Sequence, residues 1–140
     1  MSSQEGLGRL FNLATSATTS AVRANLQNYS GVTIVLIGAT SGAATITEAN
    51  AASGGTSQNL ASGVTRYYTQ NSGVWTQVTQ AAAATVTAAT GGLLAVYVSQ
   101  GALADGFKYV AASHASGSFV YILHDCDIQR RPTNLMAVSA

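Results

Sequence analysis

From Gly31 onward, short runs of Val, Ile, Thr and Tyr alternate with turns of Gly, Ser and Asn, and this pattern constrains the fold more than any other feature. β-branched and aromatic residues favour strands, and turn signals at intervals of roughly 8–12 residues are typical of all-β domains. The pattern predicts eight strands, at 32–37, 43–47, 64–70, 74–79, 83–88, 93–99, 107–112 and 118–124. Asn71-Ser-Gly73 indicates a hairpin between two of them. Residues 118–124 are apolar on both faces, which predicts a central or sandwiched strand.

We therefore expect a mainly β fold, an antiparallel β-sandwich of jelly-roll or Ig-like type, preceded by an N-terminal helix or extended arm. Apolar residues at helical spacing favour a helix over residues 5–27, whereas Gly6, Gly8 and a Thr/Ser-rich run favour an extended arm. Residues 48–62 are rich in Ala, Gly, Ser and Asn and are predicted to form a long loop. The expected organisation is an arm at 1–30, a β-sandwich domain at 31–128 and an extended tail at 129–140. Deletion of residues 1–27 is expected to leave the domain folded.

Charge is scarce along the whole chain. Charged residues make up 8% of the 140 residues, against roughly 25% in ordinary globular proteins, and the net charge is +1. Without a basic surplus we expect no nucleic-acid partner, and the longest apolar run is far shorter than the roughly 20 residues that cross a membrane. The single cysteine, Cys126, excludes an internal disulfide and suits assembly in a reducing cytoplasm. So neutral a surface suits an assembled particle better than a free monomer.

The residue types that could take part in catalysis or metal binding do not form a recognisable catalytic pattern. His124-Asp-Cys-Asp127 contains metal-binding types, but consecutive strand residues point to opposite faces and cannot converge on one ion. No nucleophile elbow or phosphate loop is complete. We therefore predict no enzyme activity, catalytic residue, metal, cofactor or small-molecule substrate. Tyr67, Tyr68 and Trp75 either pair inside the core, which we favour, or form an aromatic patch for a sugar or partner.

The C-terminal quarter carries a resemblance. Gly106-Phe-Lys-Tyr-Val110, Val120-Tyr-Ile-Leu-His-Asp125 and Gln129-Arg-Arg-Pro-Thr-Asn-Leu135 follow a Thr/Ala-rich strand in this order. Over residues 34–135 the chain resembles small structural virion proteins of tailed bacteriophages, of the head decoration or cement kind. The resemblance implies a capsid decoration protein that binds and stabilises the shell of major capsid protein. It also implies a homo-oligomer on the capsid surface of the virion, assembled in the cytoplasm of the host bacterium.

Two alternatives remain open. One is a tail, connector or head-fibre component of the same virion, and the other is a carbohydrate-binding or adhesive β module. For the structural role, we expect partner contacts from both ends of the chain. Arg130 and Arg131 can each clamp a carboxylate of the partner, or pair with Asp125 or Asp127 within the chain. The residues predicted to bind the partner are Leu7, Leu10, Phe11, Leu13, Arg130, Arg131 and Leu135.

Overall fold

The computed structural model describes residues 12–17, 22–127 and 137–139, and the chain is mainly β in these ranges. All eight predicted strands are present, with small shifts at their ends, so this prediction is confirmed. The one helical element in the described ranges is a short 3-10 turn, Gln100–Ala102. No helix in these ranges is long and apolar enough to cross a membrane. The strands are β1 Asn12–Ala17, β2 Ala24–Asn25, β3 Gly31–Ile37, β4 Gly42–Ala49, β5 Ser57–Asn59, β6 Val64–Asn71, β7 Val74–Ala83, β8 Thr85–Ala88, β9 Leu93–Ser99, β10 Tyr109–Ser113 and β11 Ser118–His124.

The strands form two sheets in which neighbouring strands run antiparallel, as predicted. The six-stranded sheet has the order β1-β11-β3-β9-β6-β7. The five-stranded sheet has the order β2-β10-β4-β5, and β8 also pairs with β4. β11 lies between β1 and β3, which agrees with the central position predicted from its two apolar faces.

Both sheets contribute to one hydrophobic core. Alternate residues of β3, β9 and β11 point into it, and so do alternate residues of β4, β8 and β10. Two buried tyrosines add hydrogen bonds between the sheets. The Ala112 amide donates to the Tyr121 hydroxyl over 3.0 Å, and the Thr87 amide donates to the Tyr67 hydroxyl over 3.3 Å. A buried phenol needs such a partner, so these bonds allow Tyr to fill the core without leaving a polar atom unsatisfied.

The helix predicted over residues 5–27 is wrong for the residues that the structure describes. Asn12–Ala17 is a strand along β11, and Ala24–Asn25 pairs with β10 in the other sheet. Thr and Ser are poor helix formers, and pairing with β11 gives this backbone a ladder of hydrogen bonds. The burial of Ala24 and Leu26 in the core argues against the expectation that the domain stays folded without residues 1–27.

Two further segments differ from expectation or add to it. The predicted loop at 48–62 contains β5, and Leu60 is buried in the core. In the predicted C-terminal tail, the Val138 carbonyl accepts a hydrogen bond from the Asn25 amide, and its side chain packs against the core. The division into arm, domain and tail stays a prediction, although β1 and β2 are integral to the two sheets.

The predicted hairpin between β6 and β7 is confirmed. Ser72 and Gly73 both have positive φ angles, of 53° and 81°, as the two central residues of a type I′ turn require. The turn leads β7 back along β6 in the register Asn71↔Val74 to Arg66↔Thr79.

The buried Tyr121 makes stability sensitive to alkaline pH. Burial raises the pKa of its phenol above the ordinary value of 10.0, while the hydrogen bond from the Ala112 amide lowers it. The unfolded chain therefore loses this proton at lower pH than the folded chain does. The resulting stability is fully present below pH 10 and is lost as the pH rises toward the folded-state value.

We expect the free energy of unfolding, measured by urea denaturation, to fall more steeply with pH above about pH 10 for the wild type than for Tyr121→Phe. At neutral pH the free energy of unfolding of Tyr121→Phe should be about 1–3 kcal/mol lower than that of the wild type, because the Ala112 amide loses its acceptor. Tyr97→Phe makes the same substitution at a half-exposed tyrosine and is the matched control. Equal slopes for wild type and Tyr121→Phe would contradict the prediction.

Candidate functional site

The face of the six-stranded sheet that points away from the core is the candidate site. Paired residues on antiparallel strands point to the same side, so the register identifies its members across all six strands. We call it the outer face. It comprises Leu13, Thr15 and Ala17 of β1, Ser118, Val120, Ile122 and His124 of β11, Thr33, Val35 and Ile37 of β3, Leu93, Ala95, Tyr97 and Ser99 of β9, Arg66, Tyr68 and Gln70 of β6, and Trp75, Gln77 and Thr79 of β7.

The outer face combines apolar side chains with uncharged polar ones in rows that cross the sheet. The central row crosses all six strands as Thr15, Val120, Val35, Ala95, Tyr68 and Gln77. The row on one side of it is Ala17, Ser118, Ile37, Leu93, Gln70 and Trp75. The aliphatic side chains of the face therefore lie on β1, β11, β3 and β9, and its Tyr and Trp side chains lie on β9, β6 and β7.

Exposure concentrates on this face. Six large apolar side chains are exposed in the described chain, and five of them belong to the outer face. The exposed fractions are 50% for Leu13, 41% for Ile37, 40% for Tyr68, 48% for Trp75 and 53% for Tyr97. The sixth is Val74, beside the hairpin turn. Scattered apolar residues are normal on a surface, but a contiguous patch marks an interaction site.

Arg66 is the one Lys, Arg, Asp or Glu among these outer-face residues. The other two cations that the structure describes are engaged: Arg23 donates to the carbonyls of Ala51 and Gly54, and Lys108 donates to Gln27. Arg66 lies at an open cleft of about 360 Å³ where β6 and β9 diverge beyond the pair Tyr68↔Ala95. The cleft is lined by Leu60, Gly63, Val64, Thr65, Arg66, Tyr68, Tyr97, Val98, Ser99 and Ala102.

Tyr97 is held across the end of the outer face. Its ring lies over Gly31, where a Cβ atom would collide with the hydroxyl group of Tyr97. The ring centroid of Tyr97 is 6.0 Å from that of His124, and Nε2 of His124 lies 2.6 Å from Oγ1 of Thr33. Glycine at position 31 thus allows a large aromatic side chain to lie flat on the sheet.

The three aromatic residues considered in the sequence separate in the structure. Tyr67 is buried in the core, as favoured, whereas Tyr68 and Trp75 are exposed, so the core interpretation is wrong for these two. The reason is the period of two along β6 and β7. Tyr67 points inward, and Tyr68 and Trp75 point outward opposite Gln77 and Gln70.

The acidic segment after β11 has local partners. Oδ2 of Asp125 accepts a hydrogen bond from Oγ of Ser30, and the Asp127 amide donates to the Asn28 carbonyl. In the described ranges, no three His, Cys, Asp or Glu side chains come together as a metal site would need.

Glu48 is a fully buried carboxylate on β4, and its oxygens serve the fold. Oε1 accepts from Nε2 of Gln58 over 2.7 Å and from the Ala61 amide over 3.4 Å. Oε2 accepts from the Ala104 amide over 2.9 Å. The side chain therefore joins β5, the turn that follows it and the β9–β10 connection.

Of the residues predicted to bind a partner, Leu13 is on the outer face, half exposed and paired with Ile122. Leu7, Leu10, Phe11, Arg130, Arg131 and Leu135 lie outside the described residues. Sequence reasoning missed Ile37 and Tyr97. The alternation Val96-Tyr97-Val98 contains a usable signal, because inward valines on both sides direct the tyrosine outward.

Comparison with protein families, curated proteins and solved structures finds no match for this chain.

Proposed function

We propose that this chain is a structural protein of a tailed-phage virion, a capsid decoration protein whose β-sandwich docks on the shell of major capsid protein and stabilises it. The observation that carries the proposal is the outer face, where five large apolar side chains are exposed and Arg66 is the one Lys, Arg, Asp or Glu among the residues named. The resemblance of residues 34–135 to small virion proteins supplies the identity of the partner. A chain with 8% charged residues suits a protein that works inside an assembly.

The composition of the outer face suits protein contact. The buried centres of protein interfaces are depleted of charge and enriched in Tyr and Trp. Burial of the aliphatic half, around Leu13 and Ile37, stabilises a complex by about 25 cal/mol per Å² of apolar area. Tyr68, Trp75 and Tyr97 add rigid side chains that lose little conformational entropy on binding.

Capsids assembled without this chain provide the test. The purified chain is expected to co-sediment with them and to raise the temperature at which the shells disrupt. Capsids that neither bind it nor gain heat resistance would overturn the proposal, and binding to isolated tails alone would favour a tail or connector component.

A carbohydrate-binding module is the second candidate, and the exposed aromatics favour it. Tyr97, Tyr68 and Trp75 lie on three successive strands of the sheet, and sugar rings stack on such side chains. Arg66 and the adjacent cleft could hold the polar groups of a sugar. Binding to a glycan panel that is lost in Trp75→Ala, with the fold and any capsid binding unchanged, would select this function.

A further inference from the structure

Among the residues that the structure describes, β7 is the last strand of the six-stranded sheet. At ten residues it is the longest strand in the described part of the chain. Its pairing partners there all belong to β6, on one side. The first four residues, Val74 to Gln77, are exposed. The backbone N–H and C=O groups on the free side of this stretch are therefore available to another strand.

The first six residues of β7, Val74 to Thr79, lack the usual protections of an edge strand, whereas a register shift follows between Thr79 and Ala83. Edges are commonly blunted by charged residues, Pro, bulges or short length. The sequence of β7, VWTQVTQAAA, has no charge and no Pro, and its register with β6 is regular from Val74 to Thr79. In the five-stranded sheet, by contrast, β2 and β5 are only two and three residues long. The six-stranded sheet therefore ends at β7 in a long edge suited to pairing.

We propose that β7 pairs antiparallel with β7 of a second copy of this chain, joining two six-stranded sheets into one. A twofold axis relates the two strands, so that only the residue on the axis faces its own equivalent, and because β7 is uncharged no like charges meet in any register. The net charge of +1 adds little repulsion between copies. The Thr, Val and Trp side chains of β7 suit cross-strand contact in a sheet.

The C-terminal half of β7 indicates where the proposed twofold axis lies. The side-chain Nε2 of Gln80 donates to the carbonyls of Val64 and Thr85, which ties this end of the strand to its own subunit. The stretch from Val74 to Gln80 is centred on Gln77. With the axis at Gln77, Trp75 of one copy lies opposite Thr79 of the other.

This pairing leaves the outer face open. Hydrogen bonds between strands run within the plane of the sheet, whereas the outer face lies above it. The dimer would therefore present two outer faces side by side. The inference goes beyond the proposed function and does not depend on the identity of the shell partner.

Disulfide trapping of Gln77→Cys tests the pairing. Directly opposed residues in an antiparallel pair have Cα atoms about 4.5–5.5 Å apart, within the range that a disulfide spans. In a Cys126→Ser background, mild oxidation of Gln77→Cys is expected to convert most of the chain to a covalent dimer. Ser118→Cys, exposed on the same face but on β11, is the matched control and is expected to form no covalent dimer.

Light scattering on the unmodified chain gives a second measurement that needs no variant. A mass of two chains that falls to one chain in Gln77→Lys, where the axis brings two lysines together, would support the pairing. A wild-type monomer, or cross-linking no faster at 77 than at 118, would overturn it. A monomer that still binds capsids would overturn this inference alone and leave the proposed function standing.

Discussion

Replacement of both Leu13 and Ile37 by lysine is expected to weaken capsid binding at least about 100-fold, because each lysine places a charge in a desolvated interface. Both side chains are about half exposed on the outer face, so the folded monomer can accommodate lysine at either position. The melting temperature should therefore stay close to that of the wild type. Co-sedimentation with capsids over a range of protein concentrations measures the affinity.

Ala61→Lys/Ala89→Lys is the matched control for this double variant. It adds the same charge at two exposed positions outside the six-stranded sheet. It is expected to bind as the wild type does. Equal weakening by the two double variants would mean that net charge, rather than the outer face, governs binding. Unchanged binding of Leu13→Lys/Ile37→Lys would remove the outer face from the proposed function.

Much of the fold follows from local sequence. The eight strands after Gly31 could be predicted because period-two patterns and Gly-containing turns act over a few residues. β1 could not, because Asn12–Ala17 is extended only in the presence of β11, more than one hundred positions away in the sequence. Its Thr and Ser residues are compatible with either state, and a distant partner decides between them.

The candidate site was less accessible to sequence reasoning than the fold. Leu13, Ile37 and Trp75 lie on β1, β3 and β7, and only the strand order brings them to one face. The sequence contains the alternation that turns each of them outward. The sequence does not show which strands pair with each other, and this strand order is what joins the outward side chains into one surface.

The buried carboxylate of Glu48 leads to the second large effect. We expect Glu48→Gln to lower the free energy of unfolding by about 2–3 kcal/mol. Both carboxylate oxygens accept hydrogen bonds, from Gln58 and Ala61 on one side and from Ala104 on the other. A glutamine presents an NH₂ group in place of one oxygen, so one buried donor must face another donor. Thermal unfolding should show a fall of about 6–12 °C in Tm.

Asp105→Asn makes the same chemical change at an exposed carboxylate next to Ala104 and is expected to change stability by less than about 0.5 kcal/mol. Hydrogen exchange separates the proposed cause from a general loosening of the fold. The amides of Ala61 and Ala104 should exchange faster in Glu48→Gln than in Asp105→Asn, by more than the change in global stability alone accounts for. Unchanged exchange at both amides, together with a wild-type Tm, would show that the Glu48 hydrogen bonds contribute little.

Because Leu60 and Ala102 line the cleft beside Tyr68 and lie close in sequence to these two amides, local opening would also widen the cleft. Capsid binding through Leu13 and Ile37, on strands that Glu48 does not contact, should persist below the lowered Tm.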